Sequence, residues 1–218
     1  MTARDGGPRI LAVDTTHEHG SIALGDDVIA IDAPSGFAHV LYPHLRALLD
    51  RHGLSAGDID CFAAAAGPGS FTGVRVGLAC IKGLAEATGK PAVAVSNLEA
   101  LAHFGSAPLR AVLLDARRGQ IYGAVYDATG GIVVPETVAK LADFLAILPA
   151  ADLELIAPDF APFGDALPPA PRVTAGHVLA GQVVRIAAER LARGEARDPA
   201  ALDANYVRRS DAELFWKE

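Results

Sequence analysis

The chain has 218 residues, 51% of them hydrophobic, enough for one large or two small buried cores. Its formal net charge of −7 gives no overall basic field to hold nucleic acid by counterion release, so any RNA contact must be local or shared with another protein. The apolar runs are too short to span a bilayer, and two isolated cysteines with no charged-then-apolar leader predict a reducing, cytoplasmic setting away from membranes.

In chain order, residues 10–14 are an apolar run ending in Asp14, which predicts a buried strand delivering an acid to a loop. Residues 15–20 read as a turn, 21–24 as a second strand, Asp26 and Asp27 as a turn and 28–31 as a third strand, which makes a meander. Leu41, Leu45, Leu48 and Leu49 recur at helical spacing within 39–51, where Pro43 fits because first-turn amides have no intrahelical acceptor. Residues 59–65 form another buried strand that runs into Gly67-Pro-Gly-Ser-Phe-Thr-Gly73, a tight loop with Ser70 placed to cap the next helix. On that helix Arg75, Lys82 and Glu86 fall on one narrow line and leave the rest of the circumference apolar or small. Gly73 and Gly77 strip one face of side chains at roughly 0.5–1 kcal/mol each, so a close neighbour is expected there. The protein's own sheet, another helix and a partner protein all satisfy that expectation. Residues 92–95 are a strand and 97–102 a short helix.

The pattern returns about a hundred residues later, which is the signature of internal duplication. Residues 111–115 repeat the first strand and its terminal acid, Arg117-Arg-Gly119 is the turn, 120–126 the second strand and 132–134 the third. Two α/β halves are expected, 1–104 and 105–218, divided where Gly105-Ser-Ala-Pro108 interrupts the periodic segments. A helix at 141–148, a strand at 153–157, an irregular proline-rich stretch at 158–171 and a long helix at 177–193 follow, ahead of the tail Asn205-Tyr-Val-Arg-Arg209.

Asp14-Thr-Thr16 before Ser21-Ile-Ala-Leu24, Gly67-Pro-Gly-Ser-Phe-Thr-Gly-Val-Arg75, Asp115-Ala-Arg-Arg-Gly-Gln-Ile-Tyr122 and Asn205-Tyr-Val-Arg-Arg209 together resemble the bacterial TsaB (YeaZ) family over nearly the whole chain. The glycine-rich block is the specific part. The resemblance implies two related actin-like α/β domains of the actin, hexokinase and Hsp70 superfamily (ASKHA, ribonuclease H-like), with mixed sheets flanked by helices. It implies a part in making threonylcarbamoyladenosine beside the anticodon of tRNAs that read codons starting with A. The implied partners are a catalytic TsaD-like paralogue and a TsaE-like ATPase, with tRNA met only through the complex.

Within the resemblance, Asp14, Thr15 and Thr16 correspond to the first phosphate loop of the superfamily. The second phosphate loop is poor, since 115–119 offers one glycine and two bulky cations where glycine runs are needed. No Walker loop is present. No cofactor is therefore expected to be required, with weakly held or interface-bound ATP or ADP left open. His39 and His44 are five apart and lack the His-x-Glu-x-His iron motif of the catalytic paralogues, so no metal site is expected; Ser70 reads as a helix cap and not as a nucleophile.

The expectation is thus a non-catalytic subunit whose helices from His39 and Ser70 present His39, Leu41, Leu45, Gly73, Val74, Gly77 and Leu78 to a partner, as the resemblance implies for a four-helix bundle. The competing readings are a small-molecule kinase or ATPase of the same fold, and a homodimer that associates through the same helices and binds a nucleotide as a regulator. Local cations for tRNA are expected at Arg117, Arg118, Arg208 and Arg209.

Overall fold

Asp14 ends the strand that everything in the first half is built on. The computed structural model describes residues 7–207. β1 (Ile10–Asp14) pairs antiparallel with β2 (His19–Leu24), and β2 with β3 (Asp27–Asp32). On its other side β1 pairs in parallel with β4 (Cys61–Ala65), which pairs in parallel with β5 (Ala92–Val95). The sheet order is β3-β2-β1-β4-β5. Every residue of β1 and β4 is buried, as expected of central strands covered on both faces.

α1 (Leu41–Arg51) follows β3 after a single 3-10 turn at Phe37–His39, so the regular helix begins two residues later than the sequence pattern suggests. Pro43 sits in its first turn, where it breaks no hydrogen bond. α2 (Phe71–Thr88) is capped by Ser70, whose Oγ accepts from the Gly73 amide at 3.3 Å, and ends at Gly89 in the left-handed conformation with φ 65°. Leu41, Leu45 and Leu48 of α1 and Val74, Leu78 and Ile81 of α2 share one core with Leu11 and Val13, alternate residues of β1.

The second half repeats this topology strand for strand. β6 (Leu109–Asp115) pairs antiparallel with β7 (Gln120–Asp127), β7 with β8 (Ile132–Lys140), and β6 in parallel with β9 (Leu153–Ala157), which carries β10 (Arg172–Thr174). The order β10-β9-β6-β7-β8 is the first sheet's order read from the other end. The duplication expected from the sequence is therefore present in the connectivity. β8 runs well beyond the expected 132–134, with Pro135 tolerated because β8 is an edge strand. The short helical turns at Ala161–Ala166 lie in the stretch expected to be irregular, and β10 follows that stretch where no element was expected. α4 (Leu141–Ala146) stands where α1 stands in the first half, but only the Ala161–Ala166 turns occupy the place of α2.

The expected division at residues 104 and 105 differs from the compact units of the structure. Among the described residues, one unit comprises 7–96 and 177–204, the other 97–176 and 205–207. α3 (Asn97–Ala102) packs on β6, β7 and β9, while α5 (Ala180–Ala192) returns to β1, β2, β4 and β5. Each sheet is thus covered by the helix that follows the other sheet. Local periodicity marks such helices but carries no information on which sheet receives them. In the second unit Glu154 of β9 accepts hydrogen bonds from the Ser106 and Ala107 amides and so pins the segment read as a linker.

Candidate functional site

The loop after β1 and the start of α2 form one packed structure. Asp14, Thr15 and Thr16 are each 1% exposed or less. Asp14 Oδ1 accepts from the Thr16 amide at 2.9 Å and from the Thr16 hydroxyl at 2.6 Å. The Thr15 hydroxyl donates to the Gly73 carbonyl at 2.7 Å, and the Ser70 amide donates to the Thr16 carbonyl at 2.7 Å. Glycine is needed for this approach. A Cβ on Gly69 would lie 2.6 Å from the Thr16 carbonyl oxygen, one on Gly73 1.9 Å from that of Thr15, and one on Gly77 2.6 Å from Thr15 Oγ1.

The glycine face of α2 therefore meets the protein's own Thr15, in the loop that leaves β1, with Val13 of β1 3.5 Å from a Cβ on Gly77, and not another helix or a partner. The expectation that Leu41, Leu45, Val74 and Leu78 face outward is corrected in the same way: all four, with Gly73 and Gly77, are buried in the unit's own core. His39 alone of that set is exposed. The signal for the true orientation is in the sequence, because the charged line of Arg75, Lys82 and Glu86 marks the solvent side of the helix.

Among the residues that α1 and α2 turn outward, beside Arg46, Asp50, Arg75 and Glu86, are two large rings. Tyr42 is 59% and Phe71 49% exposed, and the Arg75 guanidinium stacks over the Phe71 ring at 3.8 Å. Ala79 and Gly83 follow on the same face of α2, and a Cβ on Gly83 would have no neighbour within 4 Å.

As a phosphate cradle the Asp14 loop fits poorly. Both threonine hydroxyls are committed inside the loop, and the α2 N-terminal turn lies over its backbone. Asp14 Oδ2 is a buried acceptor with no hydrogen-bond partner, and an acceptor repels phosphate oxygens. Burial raises the Asp14 carboxyl above its usual range, against the opposing pull of His17 and of the Thr16 hydrogen bonds. Burial also lowers His17, against the pull of Asp14. His19 is raised by its 2.8 Å hydrogen bond to Asp32 and its ring lies 5.7 Å from that of His177. His44 Nδ1 is 2.8 Å from the Val40 carbonyl, within its own helix. Among the described residues no group of three or more His, Cys, Asp or Glu side chains is arranged to hold a metal ion. Nor is any described helix long and apolar enough to cross a membrane.

In the second unit Arg117 and Arg118 stand exposed at the β6–β7 turn. Arg208 and Arg209 lie outside the described residues. The start of the tail is fixed through Asn205, which donates to Glu136 Oε2 at 2.6 Å while the Tyr126 hydroxyl donates to Glu136 Oε1 at 2.6 Å. That contact joins a tail motif to a β8 residue nearly seventy positions earlier, and no sequence spacing signals it.

Residues 32–191 match the family model described as TsaD, tRNA N6-adenosine threonylcarbamoyltransferase. The chain is 37% identical over 155 residues to the tRNA threonylcarbamoyladenosine biosynthesis protein TsaB of Bacillus subtilis, covering 66% of this chain and 67% of that protein. It is 36% identical over 127 residues to the TsaB of Escherichia coli, covering 54% of each. A crystal structure of an uncharacterized protein from Pseudomonas aeruginosa, described as similar to peptidase YEAZ, superimposes with a TM-score of 0.80 at 28% identity, covering 92% of this chain and 100% of that one. With the duplicated strand order and the packed glycine loop, these matches place the chain in the TsaB (YeaZ) family of two-domain, actin-like α/β proteins.

Proposed function

We propose that this chain is the non-catalytic partner in threonylcarbamoyl transfer to the adenosine beside the anticodon of tRNAs, and that it pairs with a TsaD-type paralogue through the outward face of α1 and α2. The observation that carries the reading is that face itself. Tyr42 is exposed on α1, and on α2 exposed Phe71 heads a stripe where Ala79 and Gly83 leave helix backbone open to close approach, with none of the described residues packed over Gly83. A mid-helix glycine costs about 1 kcal/mol against alanine, and no contact among the described residues offsets it. A partner helix would. The committed hydroxyls of the Asp14 loop favour a partner role over nucleotide turnover, and ATP or ADP enters this proposal only as a weak or interface ligand.

The test is reconstitution with the TsaD-type and TsaE-type proteins of the same cell. The unaltered chain is expected to bind the paralogue and support tRNA modification. Phe71→Glu with Gly83→Leu is expected to stay folded while weakening association by about 30-fold or more, the scale of losing an interface anchor. Unchanged binding and modification by the double variant would overturn the interface. Saturable ATP hydrolysis by the isolated chain, abolished by Asp14→Ala, would instead establish a small-molecule kinase or ATPase.

A further inference from the structure

The turn joining β6 to β7 is built against its own backbone preferences. Arg117 and Arg118 both occupy the left-handed region, at φ 63° and 56°, and Gly119 follows at 71°. Positions of this kind select Asn, Asp or Gly, because a Cβ there crowds the following carbonyl. Only the third is glycine. The turn is nevertheless well held: Asp115 Oδ1 accepts from the Arg117 amide at 2.8 Å, the Gln120 amide donates to the Arg117 carbonyl at 3.1 Å, and the Ala116 amide to the Gln120 carbonyl at 3.0 Å. A residue that is locally unfavourable yet fixed by its surroundings points to a role for its side chain.

Both arginines are exposed residues. Arg117 is 88% exposed, and its Nε lies 3.9 Å from Asp115 Oδ2, close enough for the carboxylate to orient the guanidinium but too far to occupy a donor. Arg118 is exposed beside it, and Lys140, opposite Gln120 in the β7–β8 ladder, is exposed at the same end of the sheet. Asp115 lies beside the turn, Asp143 is in the first turn of α4 and Asp159 follows β9, while Glu136, Glu154 and Asp127 lie along β8, β9 and β7. In a chain of net charge −7, three cations, Arg117, Arg118 and Lys140, stand at this end of the second sheet.

We propose that the Arg117–Arg118 turn is this chain's contact with the phosphodiester backbone of RNA, which deepens the proposed role in tRNA modification and rests on it. A guanidinium fork matches two phosphate oxygens, and two forks on adjacent residues of a projecting turn suit a charged strand running past it. A small phosphate ligand calls instead for a cradle of backbone amides, and here the Arg117 and Gln120 amides are spent inside the turn. Contacts to phosphates position RNA without reading its sequence.

The experiment measures binding and modification of unmodified tRNA by the reconstituted complex across a salt series. It compares the unaltered chain, Arg117→Ser/Arg118→Ser, Arg117→Lys/Arg118→Lys, and a control at two other exposed arginines, Arg185→Ser/Arg193→Ser. Loss of two phosphate contacts is expected to reduce the slope of log affinity against log salt by about 1.4–1.8 and to weaken binding about 25- to 60-fold near 0.1 M salt, seen as a raised KM for tRNA at unchanged kcat. The lysine pair is expected to keep the slope and the control to match the unaltered chain. Serine variants with an unchanged slope and KM would overturn the proposal, as would a loss confined to nucleoside triphosphate binding. If the lysine pair and the serine pair lose binding equally, with matching loss of fold by circular dichroism, the arginines are structural and the proposal is again overturned. Failure of the unaltered chain to support modification at all would instead refute the proposed function.

Discussion

A graded series along α2 tests the packing argument, because the same substitution is expected to change sign with position. Gly→Ala in a helix interior gains at most about 1 kcal/mol of propensity. At Gly73 the new Cβ would stand 1.9 Å from the Thr15 carbonyl oxygen. An ordinary carbon-to-oxygen contact is about 3.3 Å or more, so backbone must give way by roughly 1.4 Å. The atom in the way is main chain and cannot rotate aside. The shift also breaks the Thr15 hydroxyl to Gly73 carbonyl bond, a loss of about 1 kcal/mol, on top of about 1–3 kcal/mol for overpacking. Net destabilisation of about 1–3 kcal/mol is expected, a fall in melting temperature of roughly 2–12 °C for a chain of this size. Gly77→Ala is expected to cost less, since it meets Thr15 Oγ1, a side-chain atom, at 2.6 Å. Gly83→Ala meets nothing within 4 Å and is expected to raise the melting temperature by about 2–4 °C. Thermal unfolding of the isolated chain decides the matter. A Gly73→Ala protein that melts at or above the unaltered one would refute the packing of α2 on the Asp14 loop.

Asp14→Asn keeps an oxygen for Thr16 and removes a buried charge. An acid whose folded pKa is raised above its ordinary 3.8 holds a proton that the unfolded chain has released, so it makes stability fall as pH rises from about 4 until the folded group itself ionises. The variant is expected to be as stable as the original or more so at pH 7, and to flatten that part of the urea-unfolding profile; a strongly destabilised variant at pH 7 would show that the ionised carboxylate has a favourable partner. Glu154→Ala is expected to lose about 2–3 kcal/mol by stranding the Ser106 and Ala107 amides, with Glu154→Gln losing less because it still accepts; equal losses would mean that the charge and not the hydrogen bonding matters. Burial pushes the thiols of Cys61 and Cys80 up to about 11, so both are expected to react slowly with a thiol reagent at pH 8 in the native protein and rapidly in denaturant. A fast native reaction would place a thiol in a more polar setting than the structure gives it.

The sequence by itself determined most of the elements and their repetition. Acid-tipped apolar runs at Asp14 and Asp115, each followed by a meander, read as buried strands, and their recurrence signalled the duplication that the shared strand order bears out, while β10 and the length of β8 went unread. The Ser70 cap and the glycines of α2 announced a close approach. Their partner could not be read, because a wheel gives directions around one axis and says nothing about what lies in each direction. Only the tertiary structure turned Gly73 and Gly77 toward Thr15, buried Leu41, Leu45, Val74 and Leu78, and left Tyr42, Phe71 and Gly83 outside. The unit boundary escaped for the same reason: α3 and α5 each cover the sheet they do not follow, and amphipathic spacing marks a helix as needing a sheet without naming which. Left-handed backbone at Arg117 and Arg118 was hidden too, since local propensity predicts against it and only the closed β6–β7 ladder with the Asp115 hydrogen bond enforces it.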